Sequence, residues 1–130
     1  KRMSIPDEVI ANNAGGKSYM TSYKQGLDPN DKQILRANGF EIDAPQCYTL
    51  TAVNNLLARK GPLWVATWAP GPHIRVVTGI QGSTLFINDP APVGAGSRYT
   101  RTFTQFFGAM ENLGAREMNE NFPVYVAYLR

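Results

Sequence analysis

The sequence predicts an α+β domain, with helices gathered toward its N-terminus and a twisted antiparallel sheet toward its C-terminus. Three observations predict it. Before Gly61-Pro62, apolar residues fall at helical spacing between capping and stopping residues. After that break, the apolar runs alternate with period two and are rich in β-branched residues. Residues 71–90, GPHIRVVTGIQGSTLFINDP, read as a hairpin. At 130 residues and 43% hydrophobic, the chain buries one modest core, so residues 1–130 are expected to form one domain. Its helical part covers about 1–61 and its β-rich part about 62–130.

Taken in order, Ser4 caps a short helix over residues 6–12, with Asp7 in its first turn, and the Ala14-Gly15-Gly16 region stops it. That glycine pair lacks the Lys-Ser/Thr of a phosphate loop in register. Tyr19, Met20 and Tyr23 share a face of a second short helix ending at Gly26, a spacing that fits core packing. Asp28-Pro29-Asn30-Asp31 then caps a helix over residues 32–38 that Gly39 closes, with Ile34, Leu35 and Phe40 as its apolar side. A longer helix follows over residues 49–60, burying Val53, Leu56 and Leu57.

The strand over residues 63–68 is nearly continuous in apolar character and reads as central. Ala69-Pro70-Gly71-Pro72 breaks it, and Trp68 stands where it could wall a cleft or simply fill the core. The hairpin strand then alternates His73, Arg75, Val77 and Gly79 with Ile74, Val76, Thr78 and Ile80. Gln81-Gly82-Ser83 turns, residues 84–88 return, and Asp89-Pro90 ends the pairing because proline has no N–H to donate. Residues 91–97 read as a small-residue loop and 98–101 as a short strand. Thr102 caps a helix over 103–113 with Phe103, Phe106, Phe107 and Met110 inward, and residues 122–129 alternate as the strand that closes the sheet.

Charged residues make up 18% of the chain and the net charge is +3, a balance expected of a globular domain. The basic residues are scattered, with no run longer than Lys1-Arg2 or Arg59-Lys60, so no nucleic-acid partner is expected. No stretch approaches the ~20 apolar residues of a membrane span, and the first residues lack the apolar core of a signal peptide. A single cysteine rules out an internal disulfide and favours a reducing compartment or a thiol kept for chemistry.

The chemistry gathers at the hairpin. His73 is the chain's one histidine, and Asp89 follows sixteen residues on, where the hairpin returns beside it. An imidazole acting as general base needs one ring nitrogen held by an oxygen acceptor so that the other faces a nucleophile. Asp89 fits that post, with Asn88 the weaker candidate. A partly exposed histidine at a strand end beside an Asn-Asp-Pro turn is the plain alternative, and spacing alone leaves both open. Cys47 precedes the helix over 49–60, where the helix dipole favours a thiolate, and Gln46 stands beside it. The competing reading, a buried or semi-buried structural thiol, is the one expected. One histidine and one cysteine make no ordinary zinc site without carboxylates, and neither metal nor cofactor is expected.

The run GPLWVATWAPGPHIRVVTGIQGSTLFINDPAP resembles the second half of papain-like cysteine peptidases of the C39-like group. Their pattern is a GPLWV-type strand, an H-x-x-V-(V/I)-T-G-I strand and an I-N-D-P end. AGGKSYMTSYKQGLDPNDKQILRANGF is similar to the segment that follows the nucleophile helix in bacterial members, so the resemblance covers most of the chain. It implies a papain-like fold, peptide-bond cleavage without a cofactor, His73 as general base and Asp89 as its orienting acid. The nucleophilic cysteine of that group opens a helix near the domain's start, often as Cys-Trp, and nothing of that form precedes Ser4. The resemblance therefore implies a nucleophile upstream of Lys1 or on a separate segment. It also implies a protein or peptide substrate, a bacterial toxin or effector that is secreted or injected and acts in the target-cell cytoplasm, and an immunity or inhibitor protein as partner. Two other functions stay open: a papain-like binding module without catalysis, and a thiol amidase acting on cell-wall peptides.

Overall fold

The computed structural model describes residues 32–44, 46–67, 73–92, 94–109 and 124–130. The helices expected over 6–12 and 19–26, the Asp28 cap, Trp68 with the break after it, and residues 110–123 lie outside the described residues. The element order is α1 (Lys32–Ala37), β1 (Phe40–Ile42), α2 (Leu50–Lys60), β2 (Leu63–Thr67), β3 (His73–Gln81), β4 (Thr84–Asp89), β5 (Ser97–Thr102), a π-helical turn (Thr104–Gly108) and β6 (Val124–Leu129). The six strands form one antiparallel sheet in the order β1-β6-β2-β3-β4-β5. The architecture is α+β.

Two expectations change. The first described helices do not stand apart from the sheet, because β1 lies between α1 and α2. Phe40, expected on the apolar side of a helix, instead pairs with Leu129. Gly39, at φ 82, ends α1 in a backbone conformation that costs glycine little, and three residues of strand follow at once. The C-terminal strand β6 does not close an edge either: it is inserted between β1 and β2. That position explains its composition, since Val126, Ala127 and Tyr128 are all buried although successive residues point to opposite faces.

Helix α2 forms as the sequence predicts. Thr49 is its N-cap, its hydroxyl accepting from the Ala52 N–H at 3.1 Å, and Gly61 ends it at φ 82 with its N–H on the Leu57 carbonyl. Val53 is fully buried, while Leu56 and Leu57 pack at the margin of the core. Leu63, Val65, Val77, Leu85, Ile87 and Val126 supply the sheet's side of that core. Phe103, Phe106 and Phe107 close it from the turn after β5, where Phe103 stacks on Phe107 at 5.4 Å and Phe106 meets Phe107 edge-on. Thr102 caps this turn by accepting from Gln105 N–H while the Gln105 side chain accepts from Thr102 N–H. The turn itself is π-helical rather than α-helical, and it carries the adjacent Phe106 and Phe107 inward together.

Strand β2 is central, as expected, third of the six and buried along almost its whole length. The β3–β4 hairpin turns at Gly82-Ser83, with Gln81 opposite Thr84 and Gly82 at φ 60. Its register then shifts between Gly79 and Val77, where Thr78 is passed over as a bulge. The Thr78 hydroxyl donates to the Phe86 carbonyl beside this interruption. The strict alternation expected along β3 therefore fails there: Val77 is buried and Ile80 also packs against the core. This single extra residue decides the geometry of the site.

Candidate active site

Carried unbroken from the turn, the pairing of Gln81 with Thr84 would set Val76 opposite Asp89 and leave His73 on the other face. With Thr78 passed over, Val77 pairs with Ile87 and Val76 with Asn88, so Arg75 comes opposite Asp89. A one-residue shift moves every following side chain to the other face of a strand. Asp89 and His73 thereby share a face and a sheet end. On the other side of β3, Thr67 pairs with His73 and Val65 with Arg75. On the other side of β4, Tyr99 pairs with Ile87, two residues from Asp89. Thr67, His73, Arg75, Asp89 and Tyr99 therefore stand together on the core-side face.

His73 Nε2 lies 2.7 Å from Asp89 Oδ1. The same oxygen accepts from the Ala91 N–H at 2.9 Å, an Asx turn that the Asp-Pro sequence favours. Oδ2 accepts from Arg75 Nε at 3.2 Å and from the Tyr99 hydroxyl at 2.9 Å. The Asp89 side chain is 9% exposed and that of His73 29%. Burial alone pushes the Asp89 carboxyl upward, but the Ala91 N–H, the Tyr99 hydroxyl and His73 outweigh it and hold the group at about 2, against an ordinary 3.8. A carboxylate offers only acceptors, so the proton between the pair sits on Nε2. Nδ1 is then the basic nitrogen of the neutral ring, the atom available to another proton donor.

Beyond Asp89 the chain folds back over itself. The Ala95 and Gly96 N–H groups donate to the Pro92 carbonyl, and the Ser97 hydroxyl to the Ala91 carbonyl. Gly96 has φ 65, and a β-carbon there would stand 3.1 Å from the Asp89 carbonyl oxygen. The loop thus rests on the backbone of the acid.

Of the candidate residues, the structure brings His73 and Asp89 into direct contact. Asn88 pairs with Val76 and so belongs to the opposite face, away from the imidazole. Cys47 is exposed, contrary to the expectation of a buried or semi-buried thiol. The inward place is taken by its neighbour Tyr48, whose ring packs at 5.4 Å against Phe107 and whose hydroxyl donates to Asp43. Cys47 lies on the connection after β1, a strand separated from β3 by β6 and β2, and it is not a member of the bonded cluster. Arg75, Thr67 and Tyr99 were not singled out from the sequence. Arg75 was within reach of period-two reasoning, being two residues from His73; Tyr99 required knowledge of the β4–β5 register. Among the described residues, no group of three or more His, Cys, Asp or Glu side chains is placed to hold a metal ion, and no helix is long and apolar enough to cross a membrane.

The class to which this chain is similar is that of the papain-like cysteine proteases. The family model described as papain-like cysteine protease AvrRpt2 matches residues 1–111. The chain belongs to that family. Comparison with curated proteins gives no significant match, and comparison with solved structures gives none either.

Proposed function

We propose that the chain acts as a cysteine peptidase with a papain-like fold that cleaves peptide bonds in a protein substrate. His73 is its general base and Asp89 the acid that orients the imidazole. The observation that carries this reading is the 2.7 Å contact between His73 Nε2 and a carboxylate oxygen that is itself held in place. The cysteine nucleophile presents its thiol to Nδ1. Nδ1 takes the thiol proton, the thiolate sulfur bonds to the peptide carbonyl carbon, and the resulting Nδ1–H protonates the amine as the C–N bond breaks. Water, deprotonated by Nδ1, then releases the acyl group from sulfur and restores the thiol. Throughout, Asp89 accepts from Nε2–H and stabilises the imidazolium that forms between the two transfers.

The family supports the peptidase chemistry. The C39-like wording of residues 62–90, a bacterial toxin or effector role inside a target cell, and an immunity protein that covers the cleft are parts of the same proposal. The test is cleavage of protein substrates, with peptidoglycan fragments assayed in parallel, by the complete protein and its His73→Ala variant. The variant is expected to lose ~100-fold or more of the activity. Its melting temperature should stay close to the parent's, because three donors still hold Asp89. Turnover retained in a folded His73→Ala variant contradicts the assignment, and cleavage confined to peptidoglycan fragments moves the substrate class to cell-wall peptides.

A further inference from the structure

Asp89 receives four hydrogen bonds, two on each carboxylate oxygen, and the two on Oδ2 come from side chains with no place in the proposed proton transfers. Arg75 is the more informative of the two. Its guanidinium is 14% exposed and lies over the Phe106 ring at 5.7 Å, so the π-helical turn after β5 supports it from below. One arm of the fork, Nε, donates to Asp89 Oδ2. Another, Nη1, donates to Thr67 Oγ1 at 3.3 Å, and that hydroxyl in turn lies 3.5 Å from the His73 carbonyl oxygen as its donor. A single rigid side chain therefore ties the acid on β4 to the backbone of the histidine on β3, through β2. Tyr99 holds the same oxygen from β5, with the Arg101 guanidinium 4.7 Å over its ring.

We propose that Arg75 and Tyr99 are positioning residues for His73: together they lock the Asp89 carboxylate in the rotamer that aims Oδ1 at Nε2. This rests on the reading of His73 as general base, and it adds two residues that reach the reaction only through Asp89. Without its Oδ2 partners, the carboxylate turns about its Cβ–Cγ bond, the Nε2–H loses a fixed acceptor, and the proton distributes over both ring nitrogens.

The experiment combines nitrogen-15 NMR of labelled histidine with steady-state kinetics on the complete protein and on Arg75→Met, Arg75→Lys and Tyr99→Phe. The signals missing from His73→Ala identify the imidazole. In Arg75→Met, the Nε2–H tautomer is expected to lose its dominance. Its kcat should fall roughly 10- to 100-fold with KM within about twofold, the scale seen when partners that orient an imidazole are removed. Arg75→Lys restores the charge without the fork. It should leave the tautomer mixed and kcat low. Tyr99→Phe, which keeps the ring in place, should mix the tautomers and lower kcat about 3- to 10-fold. Arg59→Gln, an exposed charge removal on α2, should change none of these readouts. Should Arg75→Met fail to fold, the Lys and Phe variants decide the matter. An unchanged tautomer and unchanged kcat in folded Arg75→Lys and Tyr99→Phe overturn this inference even where His73→Ala abolishes activity. A shifted tautomer in a protein with no peptidase activity would leave it standing while removing the functional reading on which it was built.

Discussion

Among the described residues, the sheet carries two carboxylates paired with basic side chains, one near each end of its strands, and their surroundings differ sharply. Asp89 is 9% exposed, takes four hydrogen bonds and ties together β3, β4 and β5. Glu41, on the edge strand β1, faces Lys60 at 3.7 Å with side chains 50% and 31% exposed, and the same ammonium lies 4.6 Å over the Tyr128 ring. Both are ion pairs by distance. Only the first is dry enough, and constrained enough, to fix the direction of a partner. At the Glu41 end, water competes for both charges, and such pairs contribute little to stability. At the Asp89 end, loss of the acid would leave the largely buried Arg75 without its carboxylate, so geometry there depends on Asp89 itself.

The comparison is broken most forcefully by neutralising each acid. Asp89→Asn should lower turnover by about 10-fold or more and cost roughly 2 kcal/mol, since it strands a largely buried guanidinium. Glu41→Gln should cost less than about 0.5 kcal/mol and leave turnover alone. Asn88→Ala, adjacent in sequence but on the opposite face, should also leave kcat near the parent value. Chemical denaturation and steady-state kinetics on the three variants check this. Equal effects at positions 41 and 89, or a greater loss at Asn88, would remove the distinction drawn here.

Acid sharpens the same contrast. Asp89 titrates at about 2 when folded against an ordinary 3.8, so its stabilisation is fully present above about pH 4 and is lost as pH falls through 2. Allowing for partial screening by solvent, that loss amounts to about 1 to 2 kcal/mol. Stability measured between pH 5 and 2 should fall less steeply in Asp89→Asn than in the parent. A parallel fall in both would place the acid sensitivity elsewhere. A smaller effect at the Asp89 end belongs to the loop resting on it: Gly96→Ala demands a left-handed alanine and presses on the Asp89 carbonyl, which should cost about 1 kcal/mol. Gly94→Ala, also at positive φ but with open space around the added carbon, should cost stability without changing kcat. A lowered kcat at position 96 alone would show that the loop supports the acid.

Much of this was legible in the sequence because the deciding patterns were local. The cap and stop of α2, the turn at Gly82-Ser83 and the Asx turn at Asp89-Pro90 each follow from residues a few positions apart. The approach of His73 to Asp89 follows from the same hairpin. What period-two reading missed was the bulge at Thr78, since one passed-over residue looks like any other threonine in a β-branched run, yet it determines which face Asp89 occupies. Strand β1 is only three residues long, too short to show a period, so Phe40 was assigned to the preceding helix. The exposure of Cys47 depended on which of two adjacent residues enters the core, and Tyr48 offered the larger apolar surface. The place of β6 between β1 and β2, and of Tyr99 beside Asp89, are products of long-range pairing that no local pattern encodes.

The central claim is that His73, aimed by Asp89, activates a thiol from outside the bonded cluster. Its most direct test is to treat the complete protein with a thiol-reactive, peptide-like inhibitor and to locate the adduct by mass spectrometry. Modification is expected at a cysteine other than Cys47, lost in His73→Ala, reduced in Asp89→Asn and retained in Cys47→Ser. An adduct at Cys47 that depends on His73, or labelling that persists without the imidazole, would contradict it.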